Sequence, residues 1–301
     1  MISPPLRRKN LDQEFVFSRG YRLSKETFSA NHFRHLARFI QDNYGIKMPD
    51  SKQVMLESRL RRRMRQAGFS SIEDYLDYVF SPQGRREELV HMVDTVTTNK
   101  TDFFREPVHF TILCDRIIPR ITAGRAFTGP AKLKVWSSAC STGEEPYTLA
   151  MVLQEFAEKN GALHYSILAS DLSTRVLKIA QRGVYNEDQI QDIPLGLREK
   201  YLLRSKDRAL RLVQIREHLR ESVTFRRINL MDDDFNIPEK MHIIFCRNVL
   251  IYFEKNEQER LMHKFAGLLE PGGFLFIGHS ESLASMDVPF ASVAQTIYQK
   301  K

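Results

Sequence analysis

The residues best placed to do chemistry gather at one short turn. Gly143, Glu144 and Glu145 stand in the stretch KLKVWSSACSTGEEPYTLAMVLQ, residues 132–154. Its apolar-alternating start reads as a strand, ACSTGEEP as a small-residue turn, and YTLAMVLQEFA as a helix with apolar residues at helical spacing. Strand, tight turn and acidic helix start together look like the first unit of a Rossmann-like sheet. A dinucleotide site of that kind carries G-x-G-x-x-G, and only Gly143 is present here. Two carboxylates at the turn would repel a pyrophosphate and would suit a cation. S-adenosylmethionine (SAM) has no phosphate and carries a sulfonium and an ammonium, so it is the cofactor this turn suggests. Thr142 and the two glutamates would equally serve as N-terminal capping residues, which leaves an ordinary capped helix open on this stretch alone.

Other candidates lie where further strands should end. HYSILASD (164–171) reads as a second strand closing on Asp171, the position at which Rossmann-like folds hold ribose hydroxyls; an N-cap aspartate is the simpler alternative. MHIIFCRNVLIYF (241–253) reads as a buried strand running into Arg247-Asn248, with Tyr252 just beyond. In TVTTNKTDFFREPVHF (95–110), Asn99, Thr101 and Arg105 flank Phe103-Phe104 ahead of a helix expected from about Pro107. They are either turn formers or part of a segment folded over an apolar cleft. Cys114, Cys140 and Cys246 are far apart and without a C-x-x-C pair, so neither a disulfide framework nor a zinc site is suggested, and no metal is expected. Cys140 and Cys246 are read as thiols beside the cofactor or as inert buried ones.

These positions need a scaffold, and 301 residues are enough for a substantial core. Residues 1–20 read as a flexible tail, and 21–96 as a small all-helical domain. In that domain Phe28, Phe33, Leu36, Phe39 and Ile40 form one stripe, followed by a helix over Lys52–Ala67 and shorter helices over 71–80 and 87–96. Residues 97–131 form a linking segment and helix, and 132–301 the α/β domain. Within the latter, 183–222 breaks the rhythm and is read as an inserted antiparallel β-subdomain. EPGGFLFIGHSESL reads as a Pro-Gly-Gly turn into a fifth strand, and FASVAQTIYQK as one closing strand. The net charge is +8, and within the helical domain most of the positive charge sits on the second helix, where Lys52, Arg59, Arg62 and Arg63 flank the buried face of Leu56, Leu60, Met64 and Ala67. That face is either simply solvated or a docking surface for an acidic helix; aromatic residues are not interleaved, which argues against single-stranded nucleic acid. No apolar run approaches the ~20 residues of a membrane span, the start lacks a signal-peptide core, and the cytoplasm is expected.

TNKTDFFRE, VWSSACSTGEEPY, ASDLSTRVLKIA, FRRINL, IIFCRNVLIYF and LLEPGGFLFIGHSE occur in this order. Together they resemble the CheR family, SAM-dependent methyltransferases that esterify glutamate side chains of bacterial chemoreceptors, over roughly residues 21–301. The resemblance implies a Rossmann-like methyltransferase sheet with a helical N-terminal domain and an inserted β-subdomain. It implies cofactor contacts from Asn99, Thr101, Arg105, Glu145, Asp171, Asn229, Leu230, Arg247 and Asn248, with S-adenosylhomocysteine as product. Arg105 and Tyr252 match positions beside the transferred methyl, with Arg105 as a positioning residue. Lys52, Arg59, Arg62 and Arg63 match the receptor-docking helix. The subdomain loop RSKDRALR (204–211) has no glycine, which speaks against capture of a receptor tail peptide. A monomer recruited to chemoreceptor arrays is implied, without nucleic acid or membrane insertion. A catalytically silent SAM-binding signalling module and a methyltransferase for another acceptor, such as nucleic acid, are the alternatives.

Overall fold

In a computed structural model, residues 28–123, 132–161 and 163–301 are described. The expected tail and the first seven residues of the expected helical domain lie outside the described residues. The chain divides after Thr98 into two compact units, Met1–Thr98 with Met231–Asp233, and Asn99–Leu230 with Asp234–Lys301.

The first unit is helical: α1 (Ala30–Tyr44), α2 (Gln53–Gln66), α3 (Ile72–Phe80), α4 (Pro82–Glu87) and α5 (Leu89–Val96). Phe33, Leu36, Phe39 and Ile40 are buried on α1, and Leu56, Leu60 and Met64 on α2, as their spacing requires. A 3₁₀ turn over Asp50–Lys52 precedes α2, so the α-helix starts one residue later than expected and also ends one residue earlier, at Gln66. The segment expected at 87–96 is α5, and a helix that was not expected, α4, precedes it. Ser81 accepts a hydrogen bond from Gly84 N (3.0 Å) and Pro82 takes the first helical position, which starts α4 well before Leu89 starts α5.

The second unit begins with the segment at Asn99, then α6 (Val108–Ile112) and α7 (Ile118–Thr122), joined by one π-helical turn. β1 (Leu133–Ser137), α8 (Glu144–Asn160), β2 (Tyr165–Asp171) and α9 (Thr174–Arg182) follow. The insertion comes next: β3 (Val184–Asn186), α10 (Leu195–Tyr201), β4 (Leu202–Arg204), β5 (Leu212–Ile215) and α11 (Glu217–Glu221). Its three strands pair antiparallel in the order β3-β5-β4. The main chain of the fold resumes with β6 (Val223–Arg227), β7 (Met241–Cys246), α12 (Lys255–Leu268), β8 (Leu269–Ile277), β9 (Phe290–Ala294) and β10 (Ile297–Lys300).

The large sheet has the order β6-β2-β1-β7-β8-β10-β9, parallel from β6 to β8 and antiparallel beyond. Two expectations are corrected here. Pro271-Gly272-Gly273 does not precede the fifth strand; β8 already starts at Leu269 and carries these residues as a bulge, with the register against β7 shifting between Met241 and Ile243. FASVAQTIYQK is a hairpin, β9 and β10, turning at Gln295-Thr296 with Thr296 at φ 57°. It has no Gly, Pro, Asn or Asp at the turn, so the usual hairpin signal is missing. All six residues of β7 are buried, as in a parallel sheet covered on both faces. Phe245 stacks on Phe276 at 4.3 Å, and Trp136 lies edge-on to Phe235 and Phe265 at 5.4 and 5.3 Å. Ser137 pairs with Ala169 on one side and Phe245 on the other, and Cys246 with Ile277. The C-terminal ends of β2, β1, β7 and β8 therefore form one rim.

Candidate active site

The turn after β1 is shaped by what it must avoid. Gly143 has φ 101°, and a Cβ there would lie 2.8 Å from the Tyr185 hydroxyl oxygen and 2.9 Å from Ala180 Cβ. Only glycine fits. Tyr185 donates to Thr142 O (2.8 Å) and Tyr147 to Ala180 O (2.7 Å), so the insertion and α9 buttress the turn. Ser141, also left-handed at φ 48°, gives its N–H to Asp171 Oδ2 (2.9 Å) and its hydroxyl to Asn99 O (2.9 Å). Asp171 takes Ser173 N on its other oxygen at 2.9 Å, as an aspartate bonded to its own backbone two residues on does. Asn99 and Asp171 are thus joined through one serine. Ile228 N donates to Asp171 O (3.1 Å), which brings the segment leading to Asn229 and Leu230 to the same strand end.

Beside this turn lies a buried ion network centred on Arg247, whose side chain is 2% exposed. Its Nη1 donates to Glu145 Oε2 (3.1 Å), its Nη2 to Glu106 Oε2 (3.0 Å) and also to the carbonyl of Arg105. Glu145 is further held by the Ser137 hydroxyl (2.7 Å). Glu106 Oε1 accepts from Asn248 Nδ2 (3.3 Å) and His279 N (3.1 Å). Phe104, Glu106 and Asn248 all have positive φ, 51°, 56° and 58°, so this rim is built from unusual backbone held by its side chains. Burial opposes charge on Glu106, yet Arg247 with the His279 and Asn248 hydrogen bonds holds its carboxyl below the ordinary range. Burial raises Glu145, against the pull of Arg247 and Ser137. Burial pushes Glu144 up to about 7 and holds His109 down to about 4, Arg247 adding to the latter.

Glu281, 6% exposed, organises the other side of the rim. Its carboxylate accepts four backbone N–H groups: Asn248 (2.9 Å) and Gly278 (2.6 Å) on Oε2, Leu250 (2.8 Å) and Ile251 (3.4 Å) on Oε1. Gly278 must be glycine, because a Cβ would stand 2.4 Å from Asn248 Nδ2. Arg105 turns its guanidinium to Lys100 O (3.2 Å), and Thr101 is half-buried in the same segment. Tyr252 closes the short 3₁₀ turn Leu250–Tyr252 and is half-buried.

The arrangement draws Arg105, Glu145, Arg247 and Asn248 into one network, and Asn99 and Asp171 into a second. Sequence reasoning missed Glu106, Glu281 and Ser141. A readable signal existed for the first: an arginine at the end of a wholly apolar strand needs a carboxylate partner, and Glu106 follows Arg105 in the TNKTDFFRE segment. The thiols of Cys140 and Cys246 are buried, and burial keeps both well above the ordinary thiol range. They are not reactive groups.

Comparison with known proteins decides the family. Residues 31–97 match the description "CheR methyltransferase, all-alpha domain" and residues 99–299 "CheR methyltransferase, SAM binding domain". The chain belongs to the CheR methyltransferase family. It is 37% identical over 249 residues to the chemotaxis protein methyltransferase of Borreliella burgdorferi, covering 82% of this chain and 87% of that one. To that of Escherichia coli it is 35% identical over 269 residues, 89% and 90% of the two chains. To chemotaxis protein methyltransferase 2 of Pseudomonas aeruginosa it is 38% identical over 254 residues, 84% and 87%. This CheR-family chain is accordingly a SAM-dependent methyltransferase.

The residues present fit that cofactor. In the Arg247 network two carboxylates face one guanidinium, and Asp171 adds a further negative charge at the neighbouring strand end. The rim thus carries surplus negative charge at the crevice where open α/β sheets bind ligands, which suits a ligand bearing a sulfonium and an ammonium.

Of the basic residues on α2 and the 3₁₀ turn before it, Arg63 forms a two-pronged pair with Glu88 (2.6 and 2.7 Å), which Tyr75 also donates to at 2.8 Å. Arg59 donates to the carbonyls of Val96 (3.1 Å) and Thr97 (2.9 Å), capping the end of α5. Lys52 donates to Lys47 O (3.2 Å), while Arg62 is exposed. Two of the four docking candidates, Arg59 and Arg63, therefore hold their own domain together.

Proposed function

We propose that this CheR-family enzyme methylates glutamate side chains of bacterial chemoreceptors, giving glutamate methyl esters. The observation that carries the reading is the surplus negative charge built around Arg247, Glu106, Glu145 and Asp171 on a CheR-type sheet. The names of the relatives, chemotaxis protein methyltransferases, supply the acceptor class.

Glu145, Asp171, Arg247 and Asn248 would hold the cofactor, with Asn99, Thr101, Asn229 and Leu230 completing the crevice. When bound, S-adenosylmethionine supplies an electrophilic methyl group on a sulfonium. A glutamate acceptor has a reference pKa of about 4.3 and is already ionised at neutral pH, so no side chain has to remove a proton. What the protein must supply is alignment and exclusion of water. Arg105 is assigned to positioning the acceptor carboxylate, since an arginine paired too tightly would blunt its nucleophilicity. Tyr252, on a turn whose backbone Glu281 fixes, is assigned to orienting the reacting groups.

The acceptor is taken to be an acidic receptor helix that meets the basic side of α2 through Arg62, the exposed member of the four. The enzyme would work in the cytoplasm at receptor arrays, and no helix among the described residues is long and apolar enough to cross a membrane. The test is methyl transfer from labelled SAM to chemoreceptor-containing membranes, followed by mild alkali. Carboxyl methyl esters release volatile labelled methanol, whereas N-methyl and most nucleic-acid methyl groups do not. Receptor-dependent volatile label is expected; alkali-stable label on any acceptor would refute the ester.

A further inference from the structure

We propose that Glu106, His109 and His279 form a binding site for a transition-metal cation of the zinc class at the edge of the cofactor crevice. The three side chains each offer a ligand atom, and these atoms lie within 4.8 Å of one another. The spacing of Cys residues pointed away from zinc, and this cluster contains none; residues 106, 109 and 279 come together only in the fold.

Thr296, at the left-handed tip of the β9–β10 hairpin, donates its single hydroxyl proton to Gln295 O (2.7 Å). The same oxygen lies 2.8 Å from His109 Nε2; with its proton on Gln295 O it can only accept there, which places the His109 proton on Nε2 in the proposed site. Nδ1 is then a bare lone pair. It has no hydrogen-bond partner, and the ring is 0% exposed. What it faces is Glu106 Oε2 at 3.5 Å, another acceptor. A buried acceptor confronting a half-buried one is a repulsive arrangement unless a cation or a proton donor lies between them.

A metal ion would resolve it. His279 Nε2 is 3.9 Å from the same Glu106 oxygen, and its ring meets that of His109 edge-on at 5.0 Å. Tetrahedral zinc with bonds of ~2.0–2.1 Å sets its ligands about 3.3–3.5 Å apart. The Glu106–His109 pair already has that separation. His279 is 43% exposed and needs only a small turn of its side chain to reach it. Imidazole and carboxylate are ligands that zinc and its neighbours accept, and a ligating histidine whose other nitrogen donates to a fixed oxygen is the usual outer-shell arrangement. Three protein ligands leave a fourth position open, as in exchangeable rather than structural zinc sites. Arg247 shares Glu106 Oε2, so the carboxylate must serve two cations, and an exchangeable site follows from that as well.

The test is titration of the full chain carrying Cys114→Ser, which removes the one half-exposed thiol, with Zn²⁺ by calorimetry and with Co²⁺ by visible absorption. One equivalent should bind, with the d–d bands of tetrahedral cobalt and without thiolate charge transfer. His279→Gln should abolish the cobalt bands while leaving the thermal unfolding midpoint in place. Thr296→Val should weaken Zn²⁺ binding about 10-fold or more by freeing the His109 tautomer. No binding at millimolar Zn²⁺, or binding of equal strength in both variants, would overturn the site.

Discussion

Replacing Glu281 by glutamine should unfasten the loop that carries Arg247 and Asn248, with little change in side-chain volume. The carboxylate accepts four backbone N–H groups, two on each oxygen. A glutamine amide nitrogen donates and cannot accept, so whichever way the amide turns, two of those donors lose their partner. The less damaging choice surrenders Oε1, which serves Leu250 and Ile251. A buried donor left without a partner costs about 1–3 kcal/mol. Ile251 is 49% exposed and can turn to water, so the expected loss is about 2–4 kcal/mol rather than the full sum. Trp136 is the only tryptophan, is fully buried, and lies in the unit containing Glu281, so its fluorescence reports the right domain. In urea, an m-value of about 1–3 kcal/mol/M converts that loss to a midpoint shift of roughly 0.7 M or more. Affinity for S-adenosylhomocysteine should fall in parallel, because Asn248 at φ 58° depends on this anchor. A midpoint equal to that of the parent protein would refute the assignment of Glu281 as the anchor of the loop.

Other consequences follow from the same geometry. Glu144 is 2% exposed and ionises at about 7 in the folded state against an ordinary 4.5, so a proton is kept on folding between those values and stability falls as pH rises through that window. Glu144→Gln should remove about 3 kcal/mol of this loss, seen as a smaller stability difference between pH 5 and pH 8 in urea titrations. Gly143→Ala combines a left-handed backbone with contacts of 2.8 and 2.9 Å to Tyr185 and Ala180, and should cost about 2–4 kcal/mol and impair cofactor binding by calorimetry. Arg63→Ala should destabilise the helical unit by about 2–4 kcal/mol, because it leaves the 5%-exposed Glu88 without its cation. Arg62→Glu should leave the melting temperature unchanged while lowering receptor methylation several-fold; equal losses of methylation and stability would remove Arg62 from the docking surface.

What the sequence made legible was local. Strand ends carry ligands in open α/β sheets, so Glu145, Asp171, Arg247 and Asn248 could be singled out from strand, turn and helix patterns alone. The helical faces of α1 and α2 and the antiparallel insertion were legible for the same reason, since period and alternation act over a few residues. Glu106 and Glu281 were not. Glu106 meets Arg247 141 positions away, and no spacing rule specifies that pairing. Glu281 is decided by the backbone of a turn 30 to 33 residues earlier. Arg63 illustrates the reverse error. Helical spacing placed it correctly beside the buried face, but nothing local shows that Glu88, 25 residues on, returns to claim its guanidinium. The missed α4 was a different case, since Ser81-Pro82 is an ordinary helix start.

The buried charges of this enzyme make sense together once the reaction is considered. In the proposed methylation of a carboxylate no proton is taken from the acceptor, which would leave the site free to use titratable groups as scaffolding. Arg247 alone ties the end of β7, the segment at 105–106 and the first turn of α8, because a planar guanidinium can reach two carboxylates and a carbonyl at once. A lysine presents its donors from a single point and has no such fork. Each carboxylate in turn holds further groups: Ser137 on Glu145, and Asn248 and the backbone of His279 on Glu106. The residues assigned to the cofactor are therefore positioned by one another before any ligand arrives, and the surplus negative charge left by two acids on one base is the feature that a sulfonium would meet. Preorganised charge of this kind lowers the reorganisation that binding and alignment would otherwise require.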